Sequence, residues 1–164
     1  MSGPVGGGSH PIRVAYLRRA EHRRDRGEYD AALSDCDQTA RLKPGWVLPR
    51  LLRTSVEAAR GRDRQAVAGA EQAPKKAAPH DGRVLHAAAC VWSLASAVAA
   101  KTGNAEGARR ASEYADRAAS LLADALDKGF RDLLYPEHNR MADDPALAAV
   151  RQHPRVRALL SRKP

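Results

Sequence analysis

Residues 16–44 read YLRRAEHRRDRGEYDAALSDCDQTARLKP, and the fold turns on how this stretch is parsed. Before Gly27, Tyr16 and Ala20 stand four apart and share one helical face. After it, Tyr29, Ala32, Leu33, Cys36 and Ala40 recur at three- and four-residue steps, a second apolar stripe. Pro44 stops that second helix, because it lacks an N–H and restricts Lys43 before it. The stretch is therefore a helical hairpin with its turn at Gly27.

The pattern returns. Gly61 lies 34 residues after Gly27, Ala66 lies 34 after Ala32, and Val67 lies 34 after Leu33. Leu48, Leu51, Leu52, Ser55 and Ala58 place a third helix before Gly61, with Pro49 in its first turn. A shorter fourth helix over 63–73 packs through Ala66, Val67, Ala70 and Ala73, and Pro74 closes it early.

In residues 16–44 this resembles a tetratricopeptide repeat, a 34-residue helical hairpin with fixed small and large packing positions. Tyr16 matches the large aromatic position of the first helix and Ala20 the small crossing position. Ala32 matches the small residue of the second helix, and Pro44 the closing proline. Arg23 and Thr39 depart from the pattern, standing where an apolar residue and an alanine are usual. The resemblance implies an all-α, right-handed stack of about three helical hairpins with a short C-terminal helical cap. It also implies a concave groove lined by the first helix of each pair. The groove positions carry over to Val14, Leu17, Glu21, Arg24 and Asp25 in the first unit. In the second they fall on Leu48, Leu51, Ser55, Ala58 and Ala59. Leu17 and Glu21 stand where one subtype uses a Lys/Asn clamp for chaperone carboxylates, so that specialised role is not expected.

Around the hairpins the chain divides as follows. Residues 1–11 (MSGPVGGGSHP) form a flexible leader. Residues 12–164 form one domain, with a first repeat over 12–45 and a degenerate second over 46–79. A linker (73–83, APKKAAPHDGR) follows the fourth helix. A longer third hairpin over 83–129 buries Leu85, Ala88, Trp92, Ala95 and Ala99 on its first helix, and Gly129 ends its second. Capping helices over 130–164 are marked by Asp144-Pro145 and His153-Pro154, each an N-cap followed by a first-turn proline. Residues 84–160 are similar to the closing segment of tetratricopeptide arrays at the C-termini of bacterial regulatory proteins, including Ser/Thr protein kinases; no kinase motif accompanies it.

Composition agrees with helices. Hydrophobic residues make up 43% of 164, and aromatics only 4%, so alanine-rich helix contacts rather than a β-sheet form the core. The net charge of +9 divides almost evenly, +5 in residues 1–82 and +4 in 83–164, so no basic tail stands out. The densest cluster, Arg18, Arg19, Arg23, Arg24 and Arg26, is interleaved with Glu21, Asp25, Glu28 and Asp30, which favours local ion pairs. Arg19 is within reach of Asp35 across the hairpin.

No phosphate-binding glycine loop, HExxH or CxxC arrangement is present. The six histidines offer no pair on one helical turn, adjacent Asp143 and Asp144 read as helix caps, and Cys36 and Cys90 read as buried, inert thiols. The expected function is a non-catalytic interaction module or scaffold, without cofactor or metal, that binds a protein or peptide partner in the groove. A basic, nucleic-acid-binding helical repeat is the alternative, and self-association through an open end of the stack a third. No apolar run of bilayer length and no secretory pattern is expected, which points to the cytoplasm.

Overall fold

Gly27 and Gly61 both adopt left-handed backbone, with φ of 77° and 95°. A side chain with a Cβ resists that conformation, so glycine fixes the two turns 34 residues apart. In the computed structural model, which describes residues 9–76, 81–130 and 140–161, each of these turns joins two helices that pack on one another. The first pair is α1 (Ser9–Asp25) and α2 (Tyr29–Leu42); the second is α3 (Val47–Ala59) and α4 (Asp63–Lys76). A third pair, α5 (Gly82–Ala100) and α6 (Ala105–Asp127), is the longest and most extensively packed. The short α7 (Arg140–Asp143), a 3-10 helix (Pro145–Val150) and α8 (Pro154–Leu160) follow. Among the described residues there is no strand, and the chain is all-α.

Neighbouring pairs are joined in a fixed order. Helix α3 touches both α1 and α2, and α5 touches both α3 and α4. The closing elements lie against the third pair: the 3-10 helix against α5 and α6, and α8 against α6. One large core runs through α3–α6 and into the closing elements, from Leu51 and Ala58 through Val91 and Leu122 to Leu147 and Val156. A smaller core, Leu17, Ala20, Cys36 and Leu52, joins the first pair to α3.

Several expectations are corrected. Residues 9–11, expected in the leader, belong to α1, since a proline within the first turn forfeits no helical hydrogen bond. Helix α4 continues past Pro74 to Lys76, because one proline removes a single bond without stopping the last turn. The buried stripe of α2 runs through Ala32, Asp35, Cys36 and Thr39, leaving Ala40 exposed. The face rotates because Asp35 enters it with arginine partners. Helix α5 is long and apolar enough to cross a membrane by length and composition, contrary to expectation. Its faces are instead taken up by α3, α4, α6 and the 3-10 helix. The expectations placed on 1–8, 77–80, 131–139 and 162–164 lie outside the described residues.

The third pair requires one close approach. A Cβ on Gly82 would lie 2.8 Å from the Ala125 carbonyl oxygen and 3.1 Å from Phe130 Cβ, so the start of α5 sits directly on the end of α6. The caps expected at Asp144 and His153 are formed. Asp144 Oδ1 accepts the Ala146 N–H at 2.9 Å, and His153 Nδ1 accepts the Arg155 N–H at 3.3 Å.

Candidate functional site

The residues expected to line a groove are distributed unequally. Leu17, Arg24, Leu51, Ser55 and Ala58 are buried; Val14, Glu21, Leu48 and Ala59 are half-buried, and Asp25 is exposed. Leu17 packs in the core shared by α1, α2 and α3, and Leu51 and Ala58 pack in the large core. These three are packing residues rather than open contact points. The physical reason is that α3 and α5 close over them, and an apolar side chain gains more from that contact than from water.

Two of the buried residues in this set are polar, Arg24 and Ser55. Arg24 on α1 is 5% exposed; its Nη1 donates to Ser55 Oγ on α3 at 3.0 Å, and its guanidinium pairs with Asp25 at 2.7 Å. Burial opposes its charge, while Asp25, then Cys90, Asp144 and Glu21, favour it, and the balance holds it firmly protonated. Helix α3 touches both α1 and α5, and α5 touches the 3-10 helix, so one interior region runs from α1 to the closing segment.

At the far side of that region three side chains meet. His86 and Cys90 stand four residues apart on α5, one turn of helix, and Asp144 enters from the cap of the 3-10 helix. Cys90 Sγ donates to Asp144 Oδ2 at 3.7 Å, and His86 Nε2 lies 3.8 Å from the same oxygen. One donor atom from each of the three lies within 4.8 Å of the others. The His86 ring stacks on Phe130 with centroids 4.5 Å apart, which fixes its plane. Counting histidine pairs along the chain misses this group. The usable signal is a His and a Cys at helical spacing, but the third member is 54 residues further on and only the fold delivers it.

The second feature is an open recess of about 660 Å³ along the outer side of α1. Pro11, Val14 and Ala15 form its apolar part, and Arg18, Arg19, His22, Arg23 and Arg26 its basic part, with Glu28 at one end. Part of this charge is anchored locally. Arg19 makes a bidentate pair with Asp35 at 2.9 and 2.7 Å, the pairing expected across the hairpin, and Arg23 reaches the same carboxylate at 2.8 Å. That hydrogen bond to Asp35 raises the Arg19 pKa further. Arg26 pairs with Glu28 at 2.9 Å. Of the groove residues read from sequence, only Val14 lines this recess.

Arg23 and Thr39 both bond to Asp35. Arg23 binds the Asp35 carboxylate, and the Thr39 hydroxyl donates to the Asp35 carbonyl oxygen at 2.9 Å. Cys36 beside it is packed away from water, and burial, then the Asp37 charge, pushes its thiol up to about 12. It is no nucleophile at neutral pH.

No family model, no curated protein and no solved structure matches this chain.

Proposed function

We propose that the chain is a non-catalytic, cytoplasmic protein-interaction module, a tetratricopeptide-like right-handed stack of three hairpins closed by a helical cap. Support for the stack comes from the two left-handed glycines 34 residues apart and from each first helix touching both helices of the preceding pair. The observation that carries the binding role is the recess on α1. It places four arginines and a histidine beside a short apolar strip on α1, whose contacts are with α2 and α3, while the closing elements pack against α5 and α6. A surface of that kind suits a peptide whose acidic side chains meet the guanidinium groups while a small apolar residue seats against Val14 and Ala15.

This moves the contact surface from the inner face, where Leu17 and Leu51 are enclosed, to the outer side of the first hairpin. The nucleic-acid reading rests on the same arginines and on the net charge of +9. Salt separates the two. Phosphate-backbone binding weakens steeply with rising salt through counterion release, whereas a peptide with an apolar anchor weakens less.

The test is fluorescence anisotropy of a labelled acidic peptide and of a labelled single-stranded RNA, each titrated with the protein over a salt series. Saturable peptide binding that Arg18→Glu with Arg26→Glu abolishes, in a variant of unchanged helicity and melting temperature, supports the proposal. RNA binding alone, lost with salt, replaces it with the alternative. Failure to bind either probe removes the recess as a site.

A further inference from the structure

We infer that His86, Cys90 and Asp144 form a binding site for a single divalent transition-metal ion of the zinc class, which would tie the C-terminal cap to α5. This goes beyond the interaction role and does not depend on it.

The donor set is the first argument. Imidazole nitrogen, thiolate sulfur and carboxylate oxygen are the three ligand types that zinc takes in proteins, and a hard cation such as magnesium or calcium would select against the sulfur. The distances are the second. With metal bonds of about 2.0–2.3 Å, tetrahedral ligand atoms lie about 3.3–3.7 Å apart. Cys90 Sγ and His86 Nε2 already stand 3.7 and 3.8 Å from Asp144 Oδ2. All three donors fall within 4.8 Å, so the remaining His86–Cys90 gap closes with a side-chain adjustment of about 1 Å.

Preorganisation is the third. His86 and Cys90 project from one turn of a buried helix, and Phe130 stacks on the imidazole. Asp144 has one carboxylate oxygen held by the Ala146 N–H, which points the other at Cys90 and His86. Ligands fixed in this way lose little freedom on binding.

Charge is the fourth. Asp144 is 3% exposed, and a buried carboxylate requires compensation. With His86 neutral, Cys90 ionised and Asp144 ionised, the ligand charge is −2, the complement of a divalent ion. Binding displaces the Cys90 S–H proton to solvent, and the fourth coordination position goes to a water.

The experiment uses the full chain, treated with chelator, kept reduced and titrated with Co²⁺. Expected are one equivalent bound, visible absorption of tetrahedral cobalt, and a thiolate-to-cobalt charge-transfer band in the near ultraviolet. Zinc should displace the cobalt and raise the melting temperature. Cys90→Ser should remove the charge-transfer band, Asp144→Asn should weaken binding at least about tenfold, and Cys36→Ser should leave both unchanged. His86→Gln gives an independent reading if a cap variant fails to fold. The wild-type chain decides in any case. Absence of the cobalt spectrum overturns the site and leaves a His86–Asp144 contact, and a spectrum that survives Cys90→Ser overturns the assignment of these ligands.

Discussion

Arg24 Nη1 donates to Ser55 Oγ at 3.0 Å, so a buried guanidinium on α1 is held by a hydroxyl on α3. The same hydroxyl donates to the Leu52 carbonyl oxygen at 2.7 Å. A charge this deep needs every acceptor it has. Ser55→Ala removes one, and the expected loss is about 2 kcal/mol, the value of a hydrogen bond to a charged group. The Arg24→Met, Ser55→Ala double variant should lose no more in total than Arg24→Met alone, because the stranded donor is then gone. Urea unfolding of the two single variants and the double tests this; strictly additive losses would show that the two side chains act independently.

The Asp35 cluster predicts the opposite kind of coupling. The carboxylate is 3% exposed, whereas Arg19 is 53% and Arg23 30% exposed. Either arginine can be lost while the other still serves the acid, so Arg19→Ala or Arg23→Ala should each cost about 1 kcal/mol or less, as partly exposed pairs do. Removing both strands a buried carboxylate, and the double variant should lose about 3 kcal/mol. Chemical denaturation measures all three, and a double loss equal to the sum of the singles would refute the sharing.

Cys36 gives the protein an alkaline weakness. Its thiol is held at about 12 in the fold, against about 8.5 in an unfolded chain. Below pH 8.5 both states carry the proton and nothing is lost. Above it the unfolded state releases the proton while the folded state keeps it, so stability declines up to about pH 12, by about 1.4 kcal/mol per pH unit at the steepest. Tyr114, raised chiefly by burial, adds to the decline above pH 10. Cys36→Ala should flatten the slope between pH 9 and 10 by one proton's worth, as read from melting temperature against pH. A slope unchanged in that variant would place its origin elsewhere.

Glycine-to-alanine substitutions should change sign along the chain. At Gly107 a Cβ would collide with Thr102 Oγ1 and lie 2.6 Å from the Ala99 carbonyl oxygen, in the turn where Asn104 caps α6. Gly107→Ala, like Gly82→Ala, should destabilise by about 1–3 kcal/mol, the usual cost of overpacking. Gly69, inside α4, meets only Thr54 Cγ2 at 3.4 Å and Thr54 Oγ1 at 3.7 Å. There alanine should gain up to about 1 kcal/mol of helix propensity. Thermal melts of the three variants suffice, and a stabilised Gly107→Ala would contradict the geometry of that turn.

Much of the architecture was written in local signals. Gly27, Gly61, Asn104, Asp144 and Pro145 act within a few residues of themselves, so they mark helix ends wherever the helices later pack. Small residues such as Ala20, Ala32 and Ala66 mark buried faces because only they permit close helix contact. Charge pairing across one turn was also legible, since Arg19 and Asp35 lie on adjoining helices of a single hairpin.

The sites were less legible, for a reason of distance along the chain. Leu17 and Leu51 carry the pattern of groove residues, but a pattern cannot say whether a neighbouring helix or water will cover them. His86 and Cys90 announce only a helix face, and Asp144 announces only a cap. Sequence by itself determined the turns and most helix ends, though not the start of α1 or the end of α4, because those choices rest on backbone chemistry over four or five residues. The tertiary structure alone decided which faces close and which stay open, and that the cap of one helix meets a thiol and an imidazole on another. Those outcomes depend on long-range packing, in which residues far apart in the chain compete for the same buried space.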